Sequence, residues 1–281
     1  MNDSLSWQVL ALIMVFVSTV YGEEPELRFQ LKSATNQCEY DIKVVMPAGG
    51  GASDAGFPVV YCMDWYILGD YLEALPKMMV LGRLVEPYIL VGITQGSTAG
   101  DWAVMRTRDY TPAQPIDEYS KSNMYQEALE LAGGADKFSA FIRSELIPKI
   151  ESEFPADSAR RCFVGYSLGS LLGVYLLETD PQLFQYYLLG SPSLWYNEYY
   201  LTDELEQIPP YKFDEIERVY VSVGEDESWE MLKSYDLLRS ALNGLEIEDS
   251  KLKFEIISSS GHVGAMPISL YNGLRFLFGN K

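Results

Sequence analysis

Short, fully apolar runs recur along the chain, alternating with stretches in which apolar residues return every three or four positions. Residues 27–31, 40–46, 57–63 and 88–93 read as strands. Pro47 ends the second, because proline cannot donate to a sheet ladder. The run 88–93 is apolar throughout, as a central strand buried on both faces must be. Further strands are expected at 161–164, 186–189, 219–223 and 254–257. Phe138, Phe141, Ile142, Leu146 and Ile150 share one helical face across 138–150, and helices are also expected at 168–177 and 268–278. Strands alternating with helices predict the α/β class: a mostly parallel central sheet flanked by helices on both faces. Residues 111–134 hold no clear period and read as an excursion above the sheet, rimming a site. The glycine-rich stretch 49–53 reads as a surface turn. It lacks the Lys-Ser/Thr ending of a phosphate-binding loop.

The N-terminus changes this picture of one uniform domain. An apolar run over 7–20 precedes Val20-Tyr21-Gly22, whose small residues suit a signal-peptidase site, although Asp3 stands where a basic residue is usual. The run is shorter than the roughly 20 residues that span a bilayer. Residues 1–22 are therefore expected to be a cleaved signal peptide and 23–281 a single exported domain, periplasmic or extracellular, with no membrane span after cleavage. The 281 residues are 48% hydrophobic and 22% charged, enough for a sizeable core. A formal charge of −19 argues against a nucleic-acid partner, since phosphate binding needs clustered Lys and Arg. Cys38, Cys62 and Cys162 show no metal-ligand spacing, and with a single histidine no metal site or cofactor is expected. Cys62 and Cys162 lie in strand-like runs as small core residues, and a disulfide between them stays open in an exported chain. Oligomeric state is not read from the sequence.

The chemistry concentrates at Gly165-Tyr166-Ser167-Leu168-Gly169, a G-x-S-x-G match that a short strand enters and an apolar helix leaves. That context is a nucleophile elbow. The serine sits on a strained turn, glycines relieve crowding beside it, and the helix start lends positive partial charge to an oxyanion. His262, within Ser260-Gly261-His262-Val263-Gly264, is the only histidine and follows the serine in a loop after the last strand. Any Ser-His mechanism must use it as general base. Between the two, strand 219–223 runs into Gly224-Glu225-Asp226-Glu227. Glu227 is the first candidate for the acid that orients the imidazole and Asp226 the second, while a bare Ser-His dyad remains open. Two backbone amides should form the oxyanion hole: Leu168, directly after the nucleophile, and Tyr66, in the loop after the third strand.

These segments resemble the putative esterase family of α/β hydrolases, which includes esterase D, ferric-enterobactin esterases such as IroE, feruloyl esterase modules and the antigen 85 mycolyltransferases. The resemblance runs from about residue 27 to 278. It is carried by Pro58-Val59-Val60-Tyr61 leading to Asp64, Arg108-Asp109-Tyr110-Thr111-Pro112, Gly133-Gly134-Ala135-Asp136-Lys137-Phe138, Glu145-Leu146-Ile147-Pro148, the elbow, Ser191-Pro192-Ser193-Leu194-Trp195 and Gly261-His262. It implies the α/β-hydrolase fold and hydrolysis of a small-molecule carboxylic ester through an acyl-enzyme, with siderophore lactones or sugar esters as substrates. It also suggests Arg108 and Trp195 as substrate-binding groups, each with a structural rival: Arg108 bracing its loop through Asp109, and Trp195 as packing at the sheet edge. Trp65 stands where the family has glycine and is expected to narrow the oxyanion loop. Ser170 replaces a second glycine after the elbow. Two other functions share the fold: acyl transfer to an alcohol, and binding without turnover.

Overall fold

The computed structural model describes residues 26–47 and 53–279. The expected signal peptide and most of the glycine-rich turn lie outside the described residues. Eight strands form one sheet in the order β1-β2-β4-β3-β5-β6-β7-β8. They are β1 (Glu26–Lys32), β2 (Glu39–Val45), β3 (Phe57–Cys62), β4 (Ile89–Thr94), β5 (Ala156–Tyr166), β6 (Tyr186–Gly190), β7 (Arg218–Gly224) and β8 (Leu252–Ile257). β1 pairs antiparallel with β2, and β2 antiparallel with β4; every pairing from β4 through β8 is parallel.

The alternation of side chains along each strand builds two cores, one per face. In β3, Val59 and Tyr61 join one core while Val60 and Cys62 join the other. β7 sends Val219, Val221 and Val223 to the first core and Tyr220 to the second. Two helices cover the second core: α1 (Trp65–Leu81), through Leu68, Leu72 and Met79, and α10 (His262–Phe278), through Leu270, Leu274 and Leu277. Opposite lie α2 (Ala99–Tyr110), α5 (Ala135–Phe141), α6 (Ile147–Glu153), α7 (Leu168–Thr179), α8 (Tyr200–Leu205) and α9 (Trp229–Gly244). Each apolar side chain so covered contributes about 1.5–3 kcal/mol relative to exposure.

The single helix expected over 138–150 is interrupted by a π-helical turn, Ile142–Leu146. The cause is Pro148, which has no N–H to offer the carbonyl of Ser144, so the ladder widens by one residue there. The excursion over 111–134 contains two short helices, α3 (Glu118–Ser122) and α4 (Gln126–Leu129). It is docked on the segment after β6: the Tyr196 hydroxyl donates to Ala113 O, and Asn197 Nδ2 donates to Gln114 O. Cys62 and Cys162 are buried free thiols, so the disulfide left open by the sequence does not form. At the sheet's edges, Leu27, Phe29 and Leu31 of β1 are half-buried while Arg28, Gln30 and Lys32 face solvent. β8 carries Lys253 and Glu255 as an ion pair.

Candidate active site

Ser167 stands between β5 and α7 with φ 59° and ψ −119°, a conformation that costs a non-glycine residue roughly 1–3 kcal/mol. Its surroundings hold the chain in this turn. A Cβ on Gly165 would lie 2.4 Å from Gly169 O, so the turn closes only around glycine. The Ser167 amide donates to Gly190 O (2.9 Å). Ser170, in place of the family's glycine, lies with Oγ 2.9 Å from Gly165 O and 2.8 Å from Gly190 O, and its hydroxyl bridges the ends of β5 and β6. The strain at Ser167 is thus held from three sides.

The Ser167 hydroxyl is 3.2 Å from the Ser193 hydroxyl, which lies buried in the loop after β6. His262 is the first residue of α10, not a loop residue as its flanking glycines suggested; Gly261 caps the helix in extended conformation. The imidazole Nδ1 is 2.6 Å from Glu227 Oε2. The other carboxylate oxygen of Glu227 accepts from Ser191 Oγ (2.6 Å) and from the Gly224 amide (2.9 Å). Burial alone would push the Glu227 carboxyl up. The hydrogen bonds from His262, Ser191 and Gly224 outweigh it and hold the group below the ordinary glutamate range. Of the neighbouring carboxylates, Asp226 is exposed, and Glu225 accepts from the Ser259 amide. Among the described residues only Glu227 bonds the imidazole.

Both proposed oxyanion amides lie in first helical turns, where N–H groups have no intrahelical acceptor. Leu168 opens α7, and Tyr66 is the second residue of α1, which begins at Trp65 where the sequence suggested a loop. The two helix starts are neighbours, since a Cβ on Gly169 would approach Asp64 Oδ2 to 3.1 Å. Trp65 does not narrow this region. Its ring turns down onto β4, where a Cβ on Gly92 would meet it at 2.0 Å.

Asp64 itself is buried in left-handed conformation, with φ 58°. Its carboxylate accepts from Arg106 Nε and Nη2, both at 2.7 Å, and from Trp102 Nε1 at 3.0 Å. Its amide donates to the Tyr110 hydroxyl at 3.0 Å. α2 therefore fixes the turn that presents Tyr66. Sequence reading passed over Arg106 in favour of Arg108, two residues on. The Arg108 guanidinium donates to both oxygens of Asp109 (2.7 and 3.0 Å), with the Tyr40 hydroxyl at 3.5 Å. Trp195 is half-buried beside the site. It stands edge-on to Tyr119 and its Nε1 meets Met231 Sδ at 3.2 Å, so packing and rim roles coincide there. On the other side the Tyr66 and Trp102 rings stack with centroids 5.9 Å apart.

The chain is similar to known proteins. The family model described as Putative esterase matches residues 33–241. The chain is 30% identical to the ferri-bacillibactin esterase BesA of Bacillus subtilis, over 79% of each chain. Among solved structures, the BES protein of Bacillus cereus superposes with a TM-score of 0.75 at 27% identity, covering 91% of this chain and 95% of that one. An IroE-like serine hydrolase of Shewanella oneidensis superposes with a TM-score of 0.74 at 26% identity, covering 91% and 80%.

Proposed function

The chain belongs to the putative esterase family and is a hydrolase of ester bonds, and we propose that it works through a serine acyl-enzyme on siderophore esters. The observation that carries this reading is the strained Ser167 between two helix N-termini, with Glu227 in the loop after β7 paired to His262 at the start of α10. Ser167 Oγ exchanges its Ser193 partner for His262 Nε2, and the imidazole takes the proton as oxygen attacks the ester carbonyl. Glu227 holds the Nδ1–H tautomer and stabilises the imidazolium that forms. The Leu168 and Tyr66 amides receive the tetrahedral oxyanion, each such donor being worth about 10²–10³ in rate. His262 then protonates the leaving alcohol, and water, deprotonated by the same imidazole, releases the acid and regenerates Ser167.

The siderophore substrate rests on the similarity to the ferri-bacillibactin esterase and on the aromatic walls Tyr66–Trp102 and Tyr119–Trp195 flanking the site. A fluorophosphonate probe tests the nucleophile: it labels the protein, and Ser167→Ala abolishes labelling together with hydrolysis of siderophore lactones. Labelling that survives Ser167→Ala would refute the assignment.

A further inference from the structure

Four contacts close a ring around the proposed acid and base. Glu227 Oε2 meets His262 Nδ1, and Glu227 Oε1 meets Ser191 Oγ, both at 2.6 Å. Ser191 Oγ meets the Tyr166 hydroxyl at 2.8 Å, and that hydroxyl donates to His262 O at 2.5 Å. The members come from neighbouring parts of the sheet: the end of β5, the loops after β6 and β7, and the start of α10. Tyr166 and Ser191 are both buried.

Proton counting shows how tightly the ring is drawn. Two hydroxyl protons serve three oxygen–oxygen contacts, and an ionised carboxylate supplies none. The charge-assisted bond from Ser191 to Glu227 takes one, and the bond from Tyr166 to His262 O takes the other. The Ser191–Tyr166 contact is then held by its neighbours, so displacing either hydroxyl loses a bond at the carboxylate or at the helix start. Ser191 also has φ 44°, an uncommon conformation for serine, kept in place by its amide donating to Ser222 O at 2.7 Å.

We propose that Tyr166 and Ser191 are positioning residues. Ser191 fixes the Glu227 carboxylate, and Tyr166 fixes the first turn of the helix that carries His262. The proposal rests on the reading of Ser167, His262 and Glu227 given above. The titratable groups that interact with Glu227 are His262 from α10 and Tyr166 from β5, and Glu225 and Asp226 precede it on its own loop.

Ser191→Ala removes one of the donors that hold the Glu227 carboxyl low. With the carboxylate less firmly held, kcat falls about tenfold with KM unchanged. Tyr166→Phe leaves the carboxylate its donors. It lowers kcat to a similar degree, through the helix start rather than the carboxylate. The single histidine gives a second readout that needs no turnover, the Nδ1–H proton resonance, which lies downfield when donated to a carboxylate. It moves in both variants and disappears in Glu227→Ala. A variant that keeps wild-type kcat and resonance removes its residue from the proposal. A resonance that responds in a protein whose Ser167 is never labelled would overturn the esterase mechanism while leaving the ring intact.

Discussion

Asp64 and Arg106 are a buried ion pair whose acid sits in left-handed backbone. Removing one partner of such a pair strands the other charge away from water, at a cost of about 3–5 kcal/mol. Arg106→Leu is therefore expected to lose that much stability in urea unfolding; a loss under about 1 kcal/mol would show that Asp64 finds another partner. Arg106 could not be found in the sequence, because its partner lies 42 residues away and no local pattern links them. Ser167 was legible for the opposite reason. Its strain is relieved by glycines two positions either side, so the chemistry leaves a mark within five residues. Glu227 falls between these cases. Its loop was readable, but choosing it over Asp226 depends on which carboxylate the turn aims at α10.

At the scale of elements, the strands could be read because burial on both faces demands unbroken apolar runs. β3 is such a run, and β7 is one apart from Arg218 at its start and the buried Ser222. α1 was missed although Trp65, Leu68, Leu72, Leu75 and Met79 have helical spacing, because Pro76 and Gly69 interrupt the pattern. Its seat on β4 is a close approach in which the Trp65 ring occupies the space a Gly92 side chain would need. Gly92→Ala should cost about 1–3 kcal/mol by overpacking. Trp65→Ala should cost about 3–5 kcal/mol. Once the ring is gone, the added methyl has room, so the double variant should be more stable than the two losses summed predict. Additive losses in a double-mutant cycle would contradict this contact.

For the whole molecule, the sequence conveyed the sheet and its flanking helices but not the antiparallel entry of β1 and β2, since strand direction is set by partners far along the chain. The charge of −19 acts at this scale too. The Arg106 and Arg108 guanidinium groups are already engaged by Asp64 and Asp109. Anionic ferric siderophores should approach more easily as salt screens the repulsion from that charge. Raising ionic strength from about 0.01 to 0.15 M shortens the Debye length from about 30 to 8 Å. KM for the anionic ester should fall over this range while KM for a neutral short-chain ester stays constant; identical responses would point to a locally neutral site. The outer strands bear on a different property, colloidal behaviour. An exposed row of unpaired amides and carbonyls invites another chain to add to a sheet, and like charges brought into register oppose it. With Arg28 and Lys32 along one margin and Lys253 and Glu255 along the other, neither border is a bare apolar template. The β1 margin, with two like charges, is the one guarded against fibre-like stacking of its copies.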